Sequence, residues 1–442
     1  MSAPSLTNAT DAPGGWRVIA VRSCACALSA ALLSAPLVVA AAADGIDRAR
    51  PAVSRFTLER RFDLDVKTER NFDLDQRRRD NAAEAEPLLL FDVTYRAGPR
   101  WLGSAEIELG GQFERASGKP SERAAFLRVD QFYVGYEGLV ELRVGRWTFR
   151  DEREWLFDAD IDGVHARFDD DRIEIDALAG RVRYWRRDLL GNKSTGDPID
   201  NYALLAGYEW RERASVGGYV VLRNDTSREQ ERFVFVGLRS HGEPSDALRY
   251  WAELAHVRGR DGGRKVRGHG LDVRAAYSFG ALRWRPRFIL GYARGSGDGD
   301  LDDNTDRSHR QTGLQGNEAR LGGLAKYKYY GEALDPELSN IGILSAGIGF
   351  SPSRRVSIDL LLHRYRQPVL SERLRVEVDP GDDMGSSRHV GDEIDLVAGY
   401  RPNDGTLIEF VLGRFRPGSR FRNQERGADV ALFGRFELKV DF

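Results

Sequence analysis

Arginine supplies nearly all the positive charge of this 442-residue chain. Of 66 basic side chains only Lys67, Lys119, Lys193, Lys265, Lys326, Lys328 and Lys439 are lysine. A guanidinium stays charged throughout the physiological range and offers a planar fork to carboxylates. Arg283, Arg285 and Arg287 stand at alternate positions, and in an extended strand that places them about 6.7 Å apart on one face. Carboxylates along a polyuronate recur at a similar interval, so such a row suits a polyanion. A structural ladder of ion pairs with acids on neighbouring strands would use the same residues, and a GC-rich genome gives the same bias toward arginine. Opposite charges about 6 Å apart gain about 0.7 kcal/mol in water and about 3 kcal/mol at an effective dielectric near 20. One arginine in a wide aqueous site is therefore weak. A ring of several selects anions and still releases them.

Other chemistry finds less support. Asp298, Asp300 and Asp302 begin a stretch like a calcium loop, but Asp303 stands where the sixth-position glycine belongs and His309 where the twelfth-position acid belongs. A solvated acidic loop explains it better, with those three aspartates as candidates for a loose external calcium site. The seven histidines show no metal-ligand spacing, and no G-x-S-x-G nucleophile elbow occurs. The glycine-rich run from Ser296 opens no helix, so it is no phosphate cradle. No cofactor is expected.

The elements that must position these residues begin with an export signal. Arg17 and Arg22 precede a small-residue apolar run from Ala25 to Ala43, and Ala41-Ala42-Ala43 before Asp44 offers a cleavage site. That reads as a secretory signal peptide over residues 1–43. It carries off both cysteines, Cys24 and Cys26, so no thiol chemistry is expected afterwards. Loss of Arg17, Arg22 and Asp11 leaves 64 basic against 67 acidic side chains, a balance that argues against nucleic acid as partner. Beyond Ala43 no apolar run approaches the roughly 20 residues of a helical span.

From Arg55 the chain instead alternates in segments of about ten residues, the length of a tilted barrel strand. Trp101, Ala105, Ile107, Leu109 and Phe113 oppose Ser104, Glu106, Glu108 and Gln112; Leu282, Trp284, Phe288, Leu290 and Tyr292 oppose the three arginines. Short connections such as Gly98-Pro99, Gly280-Ala281 and Pro402–Gly405 alternate with long polar ones, among them Gly259–Gly268 and a long external loop at 296–340. Phase changes near 124–136 and 404–416 suggest bulges. Tyr and Trp recur near segment ends, where interfacial girdles would put them, although strand propensity alone favours them too. The last stretch, Val430–Phe442, alternates apolar residues with Arg435, Glu437, Lys439 and Asp441 and closes on Phe442. A terminal Phe on such a strand resembles the C-terminal signal of bacterial outer-membrane barrels. The expectation is an all-β fold: an antiparallel up-and-down barrel of about 18 strands over residues 44–442, in the outer membrane of a Gram-negative cell.

Three segments carry a more specific resemblance: G-R-W-T-F-R-D-E-R-E-W-L-F-D-A-D-I-D-G-V-H-A-R (Gly145–Arg167), R-Q-T-G-L-Q (Arg310–Gln315) and K-Y-Y-G-E-A-L-D-P-E-L-S-N (Lys328–Asn340). Together with the strand rhythm, the chain resembles the alginate-export family of outer-membrane porins. The resemblance implies a monomeric barrel that exports an anionic polysaccharide through an arginine-rich constriction. Its partners would be that polymer, outer-membrane lipid and a periplasmic export scaffold. Carried onto this sequence, it places Arg146, Arg167, Arg310 and Arg320 at the lumen, with the Arg310 segment in a loop folded inward. Arg414 and Arg416 would share the lumen face of the penultimate strand, while Asp176 and Glu437 hold arginines in place. Relatives can carry a long periplasmic turn late in the chain; here Arg401–Gly405 is short. The class set against this channel is a barrel enzyme, a protease or lipase at the outer rim using a histidine such as His363.

Overall fold

The computed structural model describes residues 54–442 except 76, 78, 79, 183, 186, 192–198, 226–230, 301, 372, 373, 379–385 and 422–428. The expected signal peptide, with Cys24 and Cys26, lies outside the described residues. The chain from Arg55 is strand after strand: β1 (Arg55–Arg70), β2 (Asn81–Ala97), β3 (Trp101–Ala116), β4 (Glu122–Tyr136), β5 (Glu141–Arg150), β6 (Asp158–Asp169) and β7 (Ile173–Val182). It continues with β8 (Ile199–Arg211), β9 (Ala214–Asp225), β10 (Arg232–Ser245), β11 (Leu248–Asp261), β12 (Arg264–Ser278) and β13 (Arg287–Gly295). Three two-residue pieces follow: β14 (Thr305–Asp306), β15 (Glu318–Ala319) and β16 (Tyr327–Lys328). The wall then resumes with β17 (Gly342–Ser353), β18 (Val356–Arg366), β19 (His389–Asn403), β20 (Thr406–Pro417) and β21 (Ala431–Asp441).

Each wall strand pairs antiparallel with its neighbours in sequence, β13 pairs directly with β17, and β21 pairs with both β20 and β1. The result is a closed barrel of 18 strands. Closure follows from the solvent: hydrocarbon cannot satisfy a free N–H or C=O, so a sheet in lipid can have no open edge. Among the described residues no helix is long and apolar enough to cross a membrane; the crossing is made by strands.

The two-residue period sorts the side chains. On β13, Phe288, Leu290 and Tyr292 are exposed on the outer wall, while Arg287, Ile289 and Ala293 are buried inside. On β21, Leu432 and Phe442 are exposed, whereas Arg435 turns inward to Asp65 of β1, 3.0 Å away. The alternation of short and long connections is also present, apart from the connection expected as a short turn at Gly280-Ala281, which runs from 279 to 286, and one expected long loop. The segment Gly259–Gly268, expected as a long loop, is a tight hairpin: β11 runs to Asp261, β12 starts at Arg264, and Gly262 and Gly263 take φ of 51° and 99°. Two consecutive positive φ values are what a primed two-residue turn demands, and glycine supplies them without steric cost.

The phase change at 124–136 is a bulge, with Asp130 the extra residue between Val129 and Gln131 opposite Ile107 and Glu106. Near 404–416 the irregularity is on the neighbouring strand: the β19–β20 register shifts between Tyr400 and Asn403, opposite Ile408 and Thr406. β20 keeps unbroken register with β21 from Thr406 to Phe415. Its alternation looks blurred because Leu407, Val411 and Phe415, on the inner face, are also apolar and buried. Protein rather than water covers that face.

The core therefore sits inside the barrel. The segments 151–157 and 309–341 fold into the lumen, and Trp155, Leu156, Phe157, Tyr329, Tyr330, Leu334 and Leu338 pack there against Tyr219, Trp251, Tyr365 and Phe415 of the wall. Outer and inner positions should respond oppositely to charge. Leu290, 63% exposed on the outer wall, is expected to lose about 2–4 kcal/mol as Leu290→Arg at bilayer depth. Urea titration of protein folded into phospholipid vesicles measures this, and an unchanged midpoint would mean that Leu290 does not face lipid.

Candidate functional site

The inward loops are built by the motif residues themselves. Where β5 ends, the Asp151 carboxylate accepts backbone N–H bonds from Leu156 (2.8 Å) and Phe157 (2.7 Å) and an Arg239 N–H (2.9 Å). That clamp turns Trp155, Leu156 and Phe157 into the core. Arg153 and Glu154 take φ of 61° and 53°, a region that costs non-glycine residues energy and persists where surrounding contacts over-determine it. Those contacts are evident: the buried Arg153 guanidinium pairs with Asp272 at 2.9 Å and lies over the rings of Trp251 (4.6 Å) and Tyr329 (3.9 Å).

The second loop is stitched to the first and to the wall. Thr312 Oγ1 donates to the Leu156 carbonyl. The Gln311 and Asn317 amides exchange hydrogen bonds of 2.9 and 3.1 Å. Further along, the Glu393 carboxylate of β19 accepts the backbone N–H groups of Ala333 (2.7 Å) and Leu334 (3.1 Å), and Tyr365 donates to the Tyr330 carbonyl (2.8 Å). Gly331, at φ 114°, lies so close to Tyr365 that a Cβ would come within 2.0 Å of its hydroxyl. Within this loop burial pushes the Asp335 carboxyl up to about 6 despite the Lys328 ammonium beside it, and holds the His309 imidazole down to about 3. His309 is thus neutral at neutral pH.

Most of the arginines singled out in the sequence are occupied within this scaffold. Arg146 is buried and bidentate to Asp162 (2.6 and 2.9 Å), with further bonds to the Val129 and Trp185 carbonyls. Arg287 is buried against Asp359 at 2.7 Å and holds the Gly322 carbonyl of the inward loop. Arg310 does sit in an inward-folded loop, paired with Asp306 (2.8 Å) and Asp261 (2.6 Å). Arg167 is half-buried between Glu174 (2.8 Å) and Asp169 (3.1 Å). Asp176 chiefly holds His165, 2.7 Å away, with Arg167 at 4.0 Å. Glu437 holds Lys439 (2.8 Å) and Arg435 (3.5 Å). Arg320 is exposed, its Nε donating to the Leu324 carbonyl.

Four placements correct the sequence reading. Arg283 and Arg285 do not share a strand face with Arg287. They sit exposed in the 279–286 turn, where Trp284 and Arg285 take φ of 66° and 45° and the strand begins only after Pro286. Arg414 and Arg416 lie on the outer wall, in line with Phe410 and Leu412, because the apolar inner face of β20 mimics a lipid face in sequence. The calcium candidates do not converge. Asp298 turns to Arg264 and Arg307, and Asp300 and Asp302 make local turn bonds. Among the described residues no group of three or more ligating side chains could hold a metal.

His363 is closed to solvent. It is buried on β18, with Nδ1 2.8 Å from Ser345 Oγ and Nε2 3.3 Å from Asp395. The sequence did not reveal this Ser–His–Asp line, and all three side chains are at most 2% exposed. With Ser345 closed to any substrate, the line joins β17, β18 and β19 and offers no hydrolytic site.

Water reaches a different set. Beneath the inward loops, on the short-turn side, a cavity of about 430 Å³ is lined by Arg150, Arg249, Arg320 and Lys326 among others, with Glu154 and Glu318 beside them. Arg150 is 58% exposed and paired with Asp158 at 2.5 Å. Lys326 bridges Glu154 (2.5 Å) and Glu318 (3.1 Å), and Arg249 donates to the Arg320 carbonyl at 2.6 Å. The lining is mixed in sign rather than uniformly cationic. Arg150 and Arg153 lie inside the first motif, so the motif pointed to them; Arg249, Lys326 and Glu393 carried no comparable mark.

The sequence profile of the alginate-export family matches residues 52–434. No curated protein matches the chain in sequence. Among solved structures, OccK7 (OpdD) of Pseudomonas aeruginosa superposes with a TM-score of 0.59 at 15% identity, over 88% of this chain and 99% of that one. OccK2 (OpdF) of the same organism, in complex with glucuronate, gives 0.55 at 12% identity over 88% and 98%. OccAB3 of Acinetobacter baumannii gives 0.53 at 10% identity over 87% and 99%. At such identities these likenesses speak for the fold. With its profile match across the whole barrel, the chain belongs to the alginate-export family and is a barrel channel of the Gram-negative outer membrane.

Proposed function

We propose that this protein is a passive channel through which an anionic polysaccharide of the polyuronate type leaves the cell. The observation that carries the reading is the group of solvent-reached cations, Arg150, Arg249, Arg320 and Lys326, around one cavity on the short-turn side, where a polymer arriving from the periplasm would enter. The family's name is alginate export, and the like-folded OccK2 has been solved with glucuronate, a uronate. The channel works as a monomer, with the polymer and outer-membrane lipid as partners and a periplasmic scaffold delivering the chain.

The mixed lining fits export better than storage. Each cation already has a carboxylate or carbonyl partner, so a passing uronate competes with a fixed group instead of filling an empty site. That keeps each contact weak enough to break while several together favour anions. The enclosed pairs have a different task. Removing one partner of a buried ion pair leaves an uncompensated charge and costs about 3–5 kcal/mol.

In planar bilayers the wild type is expected to pass anions preferentially, and polyuronate added on the short-turn side should block current. In Arg150→Gln combined with Arg320→Gln the anion-to-cation permeability ratio should fall below one. Unselective current, indifferent to polyuronate and to both changes, would remove the substrate assignment and leave the barrel. Arg146→Ala should behave otherwise, losing about 3–5 kcal/mol of stability to urea with unaltered selectivity in the fraction that folds. A fully stable Arg146→Ala with changed selectivity would put that pair on the permeation path.

A further inference from the structure

The outer wall carries a second cluster of cations that the channel does not use. At the long-loop ends of β10–β13, Arg232, Arg258, Arg260, Lys265, Arg267 and Arg294 all point outward and are exposed. Register makes the arrangement unusual. Arg232 lies opposite Arg260, Arg260 opposite Lys265, and Arg258 opposite Arg267. Like charges directly opposite on adjacent strands repel, yet none of the six has a carboxylate partner among the described residues. Inside the same barrel, by contrast, arginine after arginine is paired.

What lies next to the cluster identifies its occupant. Down the β11–β12 hairpin the outward tiers read Arg260 with Lys265, Arg258 with Arg267, His256 with His269, then Leu254 with Leu271 and Ala252 with Val273. On β13, Arg294 stands directly above Tyr292 and Leu290. Cations thus cap an apolar band that faces hydrocarbon. A ligand that fits both parts has anionic headgroup oxygens at the level of the arginines and acyl chains against Leu254, Leu271, Val273 and Tyr292. A soluble anion would leave that apolar band unused.

We propose that the outer face of β10–β13 is a docking site for a phosphorylated glycolipid of the outer leaflet, its phosphates held by Arg258, Arg260 and Arg267. Arginine forks suit phosphate oxygens bidentately, and phosphates between opposed arginines turn a repulsive ladder into an attractive one. The contact would fix the rotational setting of the barrel in its leaflet and brace the hairpin whose Asp261 holds Arg310 of the inward loop.

The test uses the full-length protein in zwitterionic detergent, titrated with lipid A bearing both phosphates and read by native mass spectrometry. Lipid A stripped of its phosphates, inorganic phosphate and a soluble polyuronate serve as comparison arms. Bisphosphorylated lipid A should bind in preference to the dephosphorylated lipid and to inorganic phosphate, and polyuronate should not displace it. Arg258→Ser, Arg260→Ser and Arg267→Ser together should weaken it on the order of a hundredfold, since each cation near an anionic lipid surface contributes roughly a factor of five. Channel conductance should not change. Equal binding of the dephosphorylated lipid, displacement of bound lipid A by polyuronate, or undiminished affinity in the triple variant would each overturn the proposal. The phosphate comparison is made on unaltered protein, so it stands even if the variant folds poorly.

Discussion

Backbone hydrogen bonding in hydrocarbon is the constraint on which everything else rests. Each strand must find a partner on both sides, and the ladder from Arg61–Asp441 to Arg70–Leu432 between first and last strands completes the circle. Closing 18 strands in this way creates an interior far wider than side chains alone can fill. Function then depends on what occupies that space and what is left open.

The inward segments occupy much of it, joined in the core by Leu74, Val378 and Phe421 of other connections, and they are held by ionic and hydrogen-bonded pins as much as by apolar contact. Asp151, Asp272, Asp359 and Glu393 project inward from the wall or its edge, and each receives a loop group or an arginine that supports one. Such groups are expensive to bury alone, so the loops and the wall carboxylates depend on each other. A loop anchored at so many separate polar points has few alternative seats.

The guanidinium groups fall into three populations that the sequence does not separate. Arg146, Arg153, Arg239 and Arg287 are structural, buried with their carboxylates. Arg150, Arg249 and Arg320 meet the aqueous cavity. Arg258, Arg267 and Arg414 face outward. The same side chain is enclosed with a carboxylate, reached by water or turned to the outer wall according to the face and height at which the strand presents it.

Alternation of apolar and charged residues determined the barrel, its strand number and the inside-out sense of β21, because a period of two leaves no choice of face once one side is lipid. The motif segments likewise announced the inward loop. Tertiary structure alone decided which charges are free. Pairing Arg146 with Asp162, or His363 with Ser345 and Asp395, depends on register between strands, which one chain segment does not encode. The loop's cover over β20 depends on a fold that brings residues 324–338 against it. That cover made an inner face apolar and so sent Arg414 and Arg416 to the wrong side in the sequence reading. Local pattern specifies the wall; long-range packing specifies the lumen.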